Sequence, residues 1–196
     1  MPTIKNTGLF FGSFDPVHIG HMVIANYMLE YEGFEEVWFV VSPHNPLKEA
    51  SQLLDQQLRL EMVKEAAKSH PGIIVSDIEF SLPVPSYTFS TLKALREHYR
   101  NHQFNIIMGS DNLTNFGRWY KYEEIIDDHL LFVYPRKDFD GGIFAKDKNV
   151  RWTDAPMMEI SSTFIRAGIG AGKDMQFFVP QAVWQYIKKE NLYTKR

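Results

Sequence analysis

Two short stretches of this chain carry residue types that can grip phosphate. In Gly12-Ser13-Phe14-Asp15-Pro16-Val17-His18-Ile19-Gly20-His21, two histidines stand three residues apart behind a turn that Pro16 stiffens. At that spacing on a helix the imidazoles share a face, with Cβ atoms about 5–6 Å apart. Ring N–H donors beside a helix N-terminus make a cradle for phosphate oxygens. An arriving anion favours the imidazolium form, so the pair can follow charge as it develops. Gly12 allows a close backbone approach to a ligand, and Ser13 and Phe14 continue the same candidate phosphate turn. Plainer uses stay open. A histidine can cap a helix, and His-x-x-His can be half of a metal site, although no third ligand stands nearby.

The second stretch is Ile160-Ser161-Ser162-Thr163-Phe164-Ile165-Arg166. Ser161, Ser162 and Thr163 favour a helix start, with hydroxyls and unpaired backbone N–H groups, and Arg166 follows about one turn later on the same side. A guanidinium there can bridge two phosphate oxygens as a lysine cannot. By itself this is a helix cap and a surface arginine. Its weight comes from standing at a second strand-to-helix junction, where a sheet would bring it beside His18 and His21.

The elements that must position these residues alternate along the chain. Gly8 to Phe11 reads as a buried strand, followed by a helix with Met22, Ala25 and Leu29 on one face. Val37 to Val41 is the next strand, and Asp55 caps a helix in which Leu60, Val63 and Ala67 recur. Ile73 to Val75 follows, with Ile78 to Phe80 as its continuation. A helix over Thr88 to Arg100, a strand over Asn105 to Met108, helical segments from Leu113 to Asp127 and a strand over Leu130 to Val133 complete the regular part. Lys137 to Asn149 reads as a mobile loop, Met157 to Ile160 as strand-like, and Pro180 opens a last helix to about Asn191. This βαβ succession predicts a Rossmann-like α/β fold: one doubly wound parallel sheet with helices on both faces, in a single domain over 1–196. Ligands of such sheets bind at the carboxyl ends of the strands.

Composition narrows the classes. The 196 residues are 44% hydrophobic and carry a net charge of −3. The chain can bury a sizeable core and has no global field for nucleic acid, so its grip on anions must be local. With no cysteine there are no disulfides, zinc-thiolate sites or thiol nucleophile. No leader pattern and no apolar run of membrane-spanning length is present, so a cytoplasmic protein with no membrane partner is expected. A homo-oligomer is left open. His44, His70, His98, His102 and His129 show no clustering and read mostly as surface residues. Met22, Met28, Met62 and Met108 read as core.

The two motifs resemble the signature of the nucleotidyltransferase superfamily, His-x-Gly-His with Ile-Ser-Ser-Thr-x-[Ile/Val]-Arg, whose fold is Rossmann-like. Within it the chain is most similar to the bacterial nicotinate-nucleotide adenylyltransferases, which join ATP and nicotinate mononucleotide into nicotinate adenine dinucleotide and release pyrophosphate. Pro43-His44-Asn45-Pro46-Leu47-Lys48, Arg59 with Met62, Ser86-Tyr87-Thr88 with Thr91-Leu92, and Gly109-Ser110-Asp111-Asn112-Leu113 before Trp119 are similar to that family's intervening segments. The resemblance implies that His18, His21 and Arg166 are catalytic. It implies that Gly12, Ser13, Phe14, Lys48, Gly109, Asp111, Arg136, Ile160, Ser161, Ser162 and Thr163 hold ATP and its phosphates. Asn45, Tyr87, Thr88 and Trp119 would hold the nicotinate nucleotide, with Trp119 stacked on the pyridine ring and Asp111 accepting from ribose hydroxyls.

The implied reaction is an in-line attack of the mononucleotide phosphate on the α-phosphorus of ATP. It needs no general base, and Mg2+ arrives on the ATP phosphates rather than in a protein cage. Phe11, Asn45 and Ser90 depart from residues common in that family, and Tyr134-Pro135-Arg136 departs from its usual Arg-Pro-Gly order. Phosphopantetheine adenylyltransferase shares both motifs, nicotinamide mononucleotide differs from the acid by one group, and a silent nucleotide-binding module is the alternative outside enzymes. That module predicts a missing phosphate ligand, and all are present.

Overall fold

A computed structural model describes residues 3–43 and 53–194. Asn45, Lys48 and His44 therefore lie outside the described residues. Among the described residues, six parallel strands form one sheet in the order β3-β2-β1-β4-β5-β6. They are β1 (Lys5–Gly12), β2 (Glu36–Val41), β3 (Ile73–Ser76), β4 (His102–Gly109), β5 (Leu131–Tyr134) and β6 (Val150–Trp152). Among the described residues, seven α-helices accompany them: α1 (Ile19–Tyr31), α2 (Gln56–Ala67), α3 (Thr88–His98), α4 (Ser110–Thr114), α5 (Tyr122–Asp128), α6 (Ser162–Gly170) and α7 (Gln181–Lys189). Asp55 caps α2 as its sequence predicts, accepting from Gln57 N at 2.8 Å.

Neighbouring side chains of a strand point to opposite faces, and both faces are buried here. Phe10, Phe39, Val41 and Ile107 pack with Ile24 and Met28 of α1, Leu60 and Met62 of α2, Ile165 of α6 and Val183 of α7. Leu9, Trp38, Val40, Ile106 and Met108 pack with Leu92 and Leu95 of α3, Leu113 of α4 and Ile125 of α5. Residues adjacent in β1 thus serve different cores, which makes the sheet doubly wound and Rossmann-like. The chain winds outward from β1 to β3 on one side and from β4 to β6 on the other. The winding reverses between β1 and β4, and a crevice opens there at the carboxyl ends of the strands. No helix among the described residues is long and apolar enough to cross a membrane.

Two predicted elements differ. Ile78–Ser81 is a 3-10 turn, not a continuation of β3, because the chain turns at Asp77 to send Glu79 inward, where it is 2% exposed. Residues 154–161 run without strand partners, and the sixth strand is Val150–Trp152 instead. Alternating apolar residues can mark an extended segment that has no neighbour to pair with. Two histidines expected at the surface are also interior. His129 is 6% exposed with Nδ1 against Phe104 O at 2.7 Å, and His102 Nδ1 meets the Thr7 hydroxyl at 2.9 Å. Met28, Met62 and Met108 are buried as expected.

Candidate active site

The turn after β1 delivers His18 as the cap of α1 and His21 as the third residue of that helix. The His18 backbone N–H donates to His21 Nδ1 at 3.2 Å, so the neutral His21 ring carries its proton on Nε2. Spacing alone predicts a shared face, and the rings go further: they stack, centroids 3.7 Å apart and 25° from parallel. Phe10 and Phe14 meet the His21 ring edge-on at 5.8 and 5.0 Å and fix its plane. Burial, with the Arg136 guanidinium nearby as the smaller cause, lowers the His18 pKa to about 4. His18 is therefore neutral at pH 7 when no anion is bound beside it, and its Nδ1 is buried without a hydrogen-bond partner. The imidazolium form expected from the sequence depends on an anion arriving to offset that desolvation.

Facing the histidines across one basin are the start of α6 and two arginines. Ser13, His18, His21, Arg136, Ile160, Ser161, Ser162, Thr163 and Arg166 line it together. Ser161 caps α6 by accepting from Phe164 N at 3.2 Å, which leaves the N–H groups of the first turn aimed outward. Ser162 Oγ donates to Pro16 O at 2.9 Å and so ties the second motif to the first. Arg166 Nη1 donates to Asp15 O at 2.6 Å and lies 3.8 Å from Asp15 Oδ2. Arg136 Nη1 donates to Met158 O at 3.0 Å, with its guanidinium carbon 5.2 Å from the Tyr134 ring centroid.

The turn itself is held from behind by groups to which the sequence analysis assigned no role. Arg59, 1% exposed on α2, donates from Nη1 to Ser13 O at 2.6 Å and to Ser42 O at 2.8 Å. Its Nη2 donates to Pro43 O and its Nε to Leu54 O, both at 2.9 Å. Tyr193, beyond α7, donates its phenol to Asp15 Oδ1 at 2.7 Å. A buried arginine that spends its fork on four carbonyls is a scaffold for a loop, not a ligand.

The second basin adjoins the first on the other side of the β1 end. Its walls are Phe10, Phe11, Gly12, Tyr87, Thr88, Trp119, Tyr120 and Tyr134, with Glu79, Ser86 and Arg118 as the polar groups that stand out among them. Trp119 follows the 3-10 turn Phe116–Arg118 and is propped by Phe116 at 5.3 Å. Tyr87 caps α3 and leans on Tyr120 at 5.1 Å. A flat, aromatic-lined slot with a helix start at its edge suits a flat heteroaromatic ring. Sequence reasoning singled out Tyr87, Thr88 and Trp119 here, and Phe11 as a residue at the pocket mouth, but missed Glu79, Arg118 and Tyr120. An acid inside an apparent strand continuation was the one available sign of Glu79.

Three expected site residues take other places. The Phe14 side chain is core, 2% exposed and stacked on Phe39 at 5.1 Å, so only its backbone can serve a ligand. A Cβ on Gly12 would meet the Phe14 ring at 2.9 Å, so the glycine makes room for that ring as well as for a ligand. Asp111 lines neither basin. It stands at the start of α4, with Oδ1 3.9 Å from Arg136 Nε, both atoms buried without hydrogen-bond partners. Gly109 has no room for a side chain against Asp111 and Arg136.

Comparison with known proteins agrees with this geometry. The cytidylyltransferase-like family model matches residues 9–168. A protein of Flavobacterium johnsoniae named probable nicotinate-nucleotide adenylyltransferase is 48% identical over 190 residues, covering 96% of this chain and 98% of that protein. A Bacteroides fragilis protein of the same name is 46% identical over 181 residues, covering 92% and 90%. In fold, the chain resembles Plasmodium falciparum nicotinic acid mononucleotide adenylyltransferase, solved in complex with APC and with NaAD. Each structure gives a TM-score of 0.80 at 22% identity, covering 96% of this chain and 97% of that one.

Proposed function

Because the chain belongs to the nicotinate-nucleotide adenylyltransferase family, within the cytidylyltransferase-like enzymes, we propose that it transfers the adenylyl group of ATP to nicotinate mononucleotide. The products are nicotinate adenine dinucleotide and pyrophosphate. The observation that carries this reading is the junction of a basic, hydroxyl-rich basin with an aromatic basin at the β1–β4 crevice. Trp119, Tyr87 and Thr88 hold the pyridine ring in the second, and the phosphates meet in the first.

The 5′-phosphate of the mononucleotide is an anion at neutral pH and attacks the α-phosphorus of ATP in line with the departing pyrophosphate. No base or covalent intermediate is required, so catalysis consists of positioning and charge stabilisation. His18 and His21 donate to oxygens of the α-phosphate. The negative charge offsets the burial that keeps His18 neutral beforehand. Arg166, the hydroxyls of Ser161, Ser162 and Thr163, and the first-turn N–H groups of α6 hold the leaving pyrophosphate. Arg136 adds a second guanidinium to the same basin, with Asp111 Oδ1 3.9 Å from its Nε.

Among the described residues, no group of three or more His, Asp and Glu could hold a metal ion. Asp15, the carboxylate nearest Arg166, is 1% exposed and already takes the Tyr193 phenol. This donor set does not fit a protein cage for Mg2+. We propose magnesium that arrives on the ATP phosphates and keeps its waters, and no step here runs through it.

The test is pyrophosphate release from ATP with nicotinate mononucleotide, nicotinamide mononucleotide or phosphopantetheine offered separately. Turnover with the first is expected, and its absence overturns the reading. Trp119→Ala should raise KM for the mononucleotide about tenfold, the worth of one aromatic face for a cationic ring, with KM for ATP unchanged.

A further inference from the structure

The aromatic basin contains a carboxyl group that the reaction above does not use. Glu79 is 2% exposed and lines that basin from the 3-10 turn after β3. The Thr91 hydroxyl donates to its Oε1 at 2.8 Å. Its Oε2 is buried with no hydrogen-bond partner, and the same holds for Ser86 Oγ in the wall of the same basin. Two polar atoms left unpaired in one apolar slot are unfavourable unless something completes them. A ligand with a polar substituent on a flat ring would do so.

The electrostatics around Glu79 are simple. Arg118 is the other charged residue among those lining the basin, and Tyr87, Tyr120 and Tyr134 supply phenols. Hydroxyls of Thr91 on α3, Ser42 after β2 and Ser86 in the following loop surround the carboxyl. Burial pushes it above the usual carboxylate range, and the Thr91 hydroxyl bonded to it pulls the other way. A second carboxylate brought into the slot would push further in the same upward direction, because like charges in a dry site disfavour joint ionisation.

Building on the reading that this basin takes the pyridine ring, we propose that Glu79 is a specificity-determining residue. Entry of a pyridine carboxylate draws one solvent proton onto Glu79 Oε2. The resulting O–H and the Ser86 hydroxyl then donate to the substituent. A carboxamide carries N–H donors of its own, is met by the ionised carboxylate, and enters without that proton. Binding of the acid is thereby linked to proton uptake and binding of the amide is not. The acid-to-amide affinity ratio should therefore fall as pH rises, by up to about tenfold per pH unit once free Glu79 is ionised.

The experiment is titration calorimetry of the wild-type protein with nicotinate mononucleotide and with nicotinamide mononucleotide. It is run between about pH 7 and 8.5 in buffers of different ionisation enthalpy, which counts the protons exchanged. Both ligands carry the same phosphate, so its own ionisation cancels in the difference. The expected result is an excess uptake by the acid of up to about one proton, absent in Glu79→Gln, whose acid-to-amide ratio no longer varies with pH. Equal uptake for the two ligands in the wild type overturns the proposal without any variant, and an excess that survives in Glu79→Gln overturns it as well. Nicotinate mononucleotide that gives neither binding heat nor a change in tryptophan fluorescence removes the assignment of the basin itself, and the proposal with it. Tight binding of both with equal uptake removes the proposal alone.

Discussion

Replacing Tyr193 by Phe deletes one oxygen near the end of the chain, and its effect should be felt at the phosphate site. The phenol donates to Asp15 Oδ1 at 2.7 Å across 178 residues of sequence. Asp15 is 1% exposed, so water cannot easily replace the lost donor, and its Oδ2 already has no hydrogen-bond partner. Hydrogen bonds to a charged group contribute about 1.5–3 kcal/mol, and a buried acceptor left unpaired sits at the upper end of that range. The expected destabilisation is about 2–3 kcal/mol, or a drop in Tm of about 5–10 °C for a domain of this size. The carboxylate then depends on Arg166, 3.8 Å from Oδ2, and draws that guanidinium away from the basin. KM for ATP should rise about tenfold while KM for nicotinate mononucleotide stays within twofold. Urea unfolding at pH 7 and initial-rate kinetics read the two effects separately. A variant within about 0.5 kcal/mol of the wild type, with unchanged KM for ATP, would refute the view that the C-terminal tail holds this turn.

Two further outcomes follow from buried groups around the same turn. Arg59→Met strips four donated hydrogen bonds from the carbonyls of Ser13, Ser42, Pro43 and Leu54. It should cost about 4 kcal/mol or more in urea unfolding, with Arg59→Lys recovering roughly half, since an ammonium has three donors but no planar fork. For His18, the folded pKa of about 4 lies below the ordinary imidazole value of 6.5, so the unfolded chain binds the extra proton between those values. Its contribution to stability is complete above pH 6.5 and is lost as pH falls toward 4, in total about 3 kcal/mol. His18→Asn keeps a helix cap without the titration. Its stability should vary with pH over that window by one proton less than the wild type, and identical slopes would contradict the assignment.

What the sequence made legible was local. Strand and helix periods gave the order of elements, and the alternation of strands and helices gave the parallel sheet, because these depend on neighbours a few residues apart. His18, His21 and the Ser161–Arg166 stretch were readable for the same reason: each motif is a strand-to-helix turn whose residues serve one local cradle. The Arg59 fork, the Tyr193 phenol and the Glu79 carboxyl were not readable as parts of the site. Their partners lie across the fold, and a buried arginine or glutamate carries no sign of burial in its own residue type. Phe14 shows the converse: its place in the motif suggested a ligand contact, which its backbone can still make, while its ring fills the space that Gly12 leaves open.

The charge state of the site before an anion binds bears on turnover. A cleft built to bind two highly charged phosphate groups could have kept both imidazoles protonated, but such a site would hold pyrophosphate as firmly as ATP. Here the His18 and His21 rings stack at 3.7 Å, and burial holds His18 neutral at pH 7. Positive charge at His18 therefore appears only with the anion that offsets its desolvation, and it is released when that anion leaves. Arg166 is restrained in a similar way: Asp15 occupies part of its guanidinium through a backbone carbonyl at 2.6 Å and a carboxylate oxygen at 3.8 Å. Under the proposed reaction, the groups that stabilise the transferring phosphate are oriented beforehand but charged or released on demand. That arrangement favours the transition state over tight retention of either ground state.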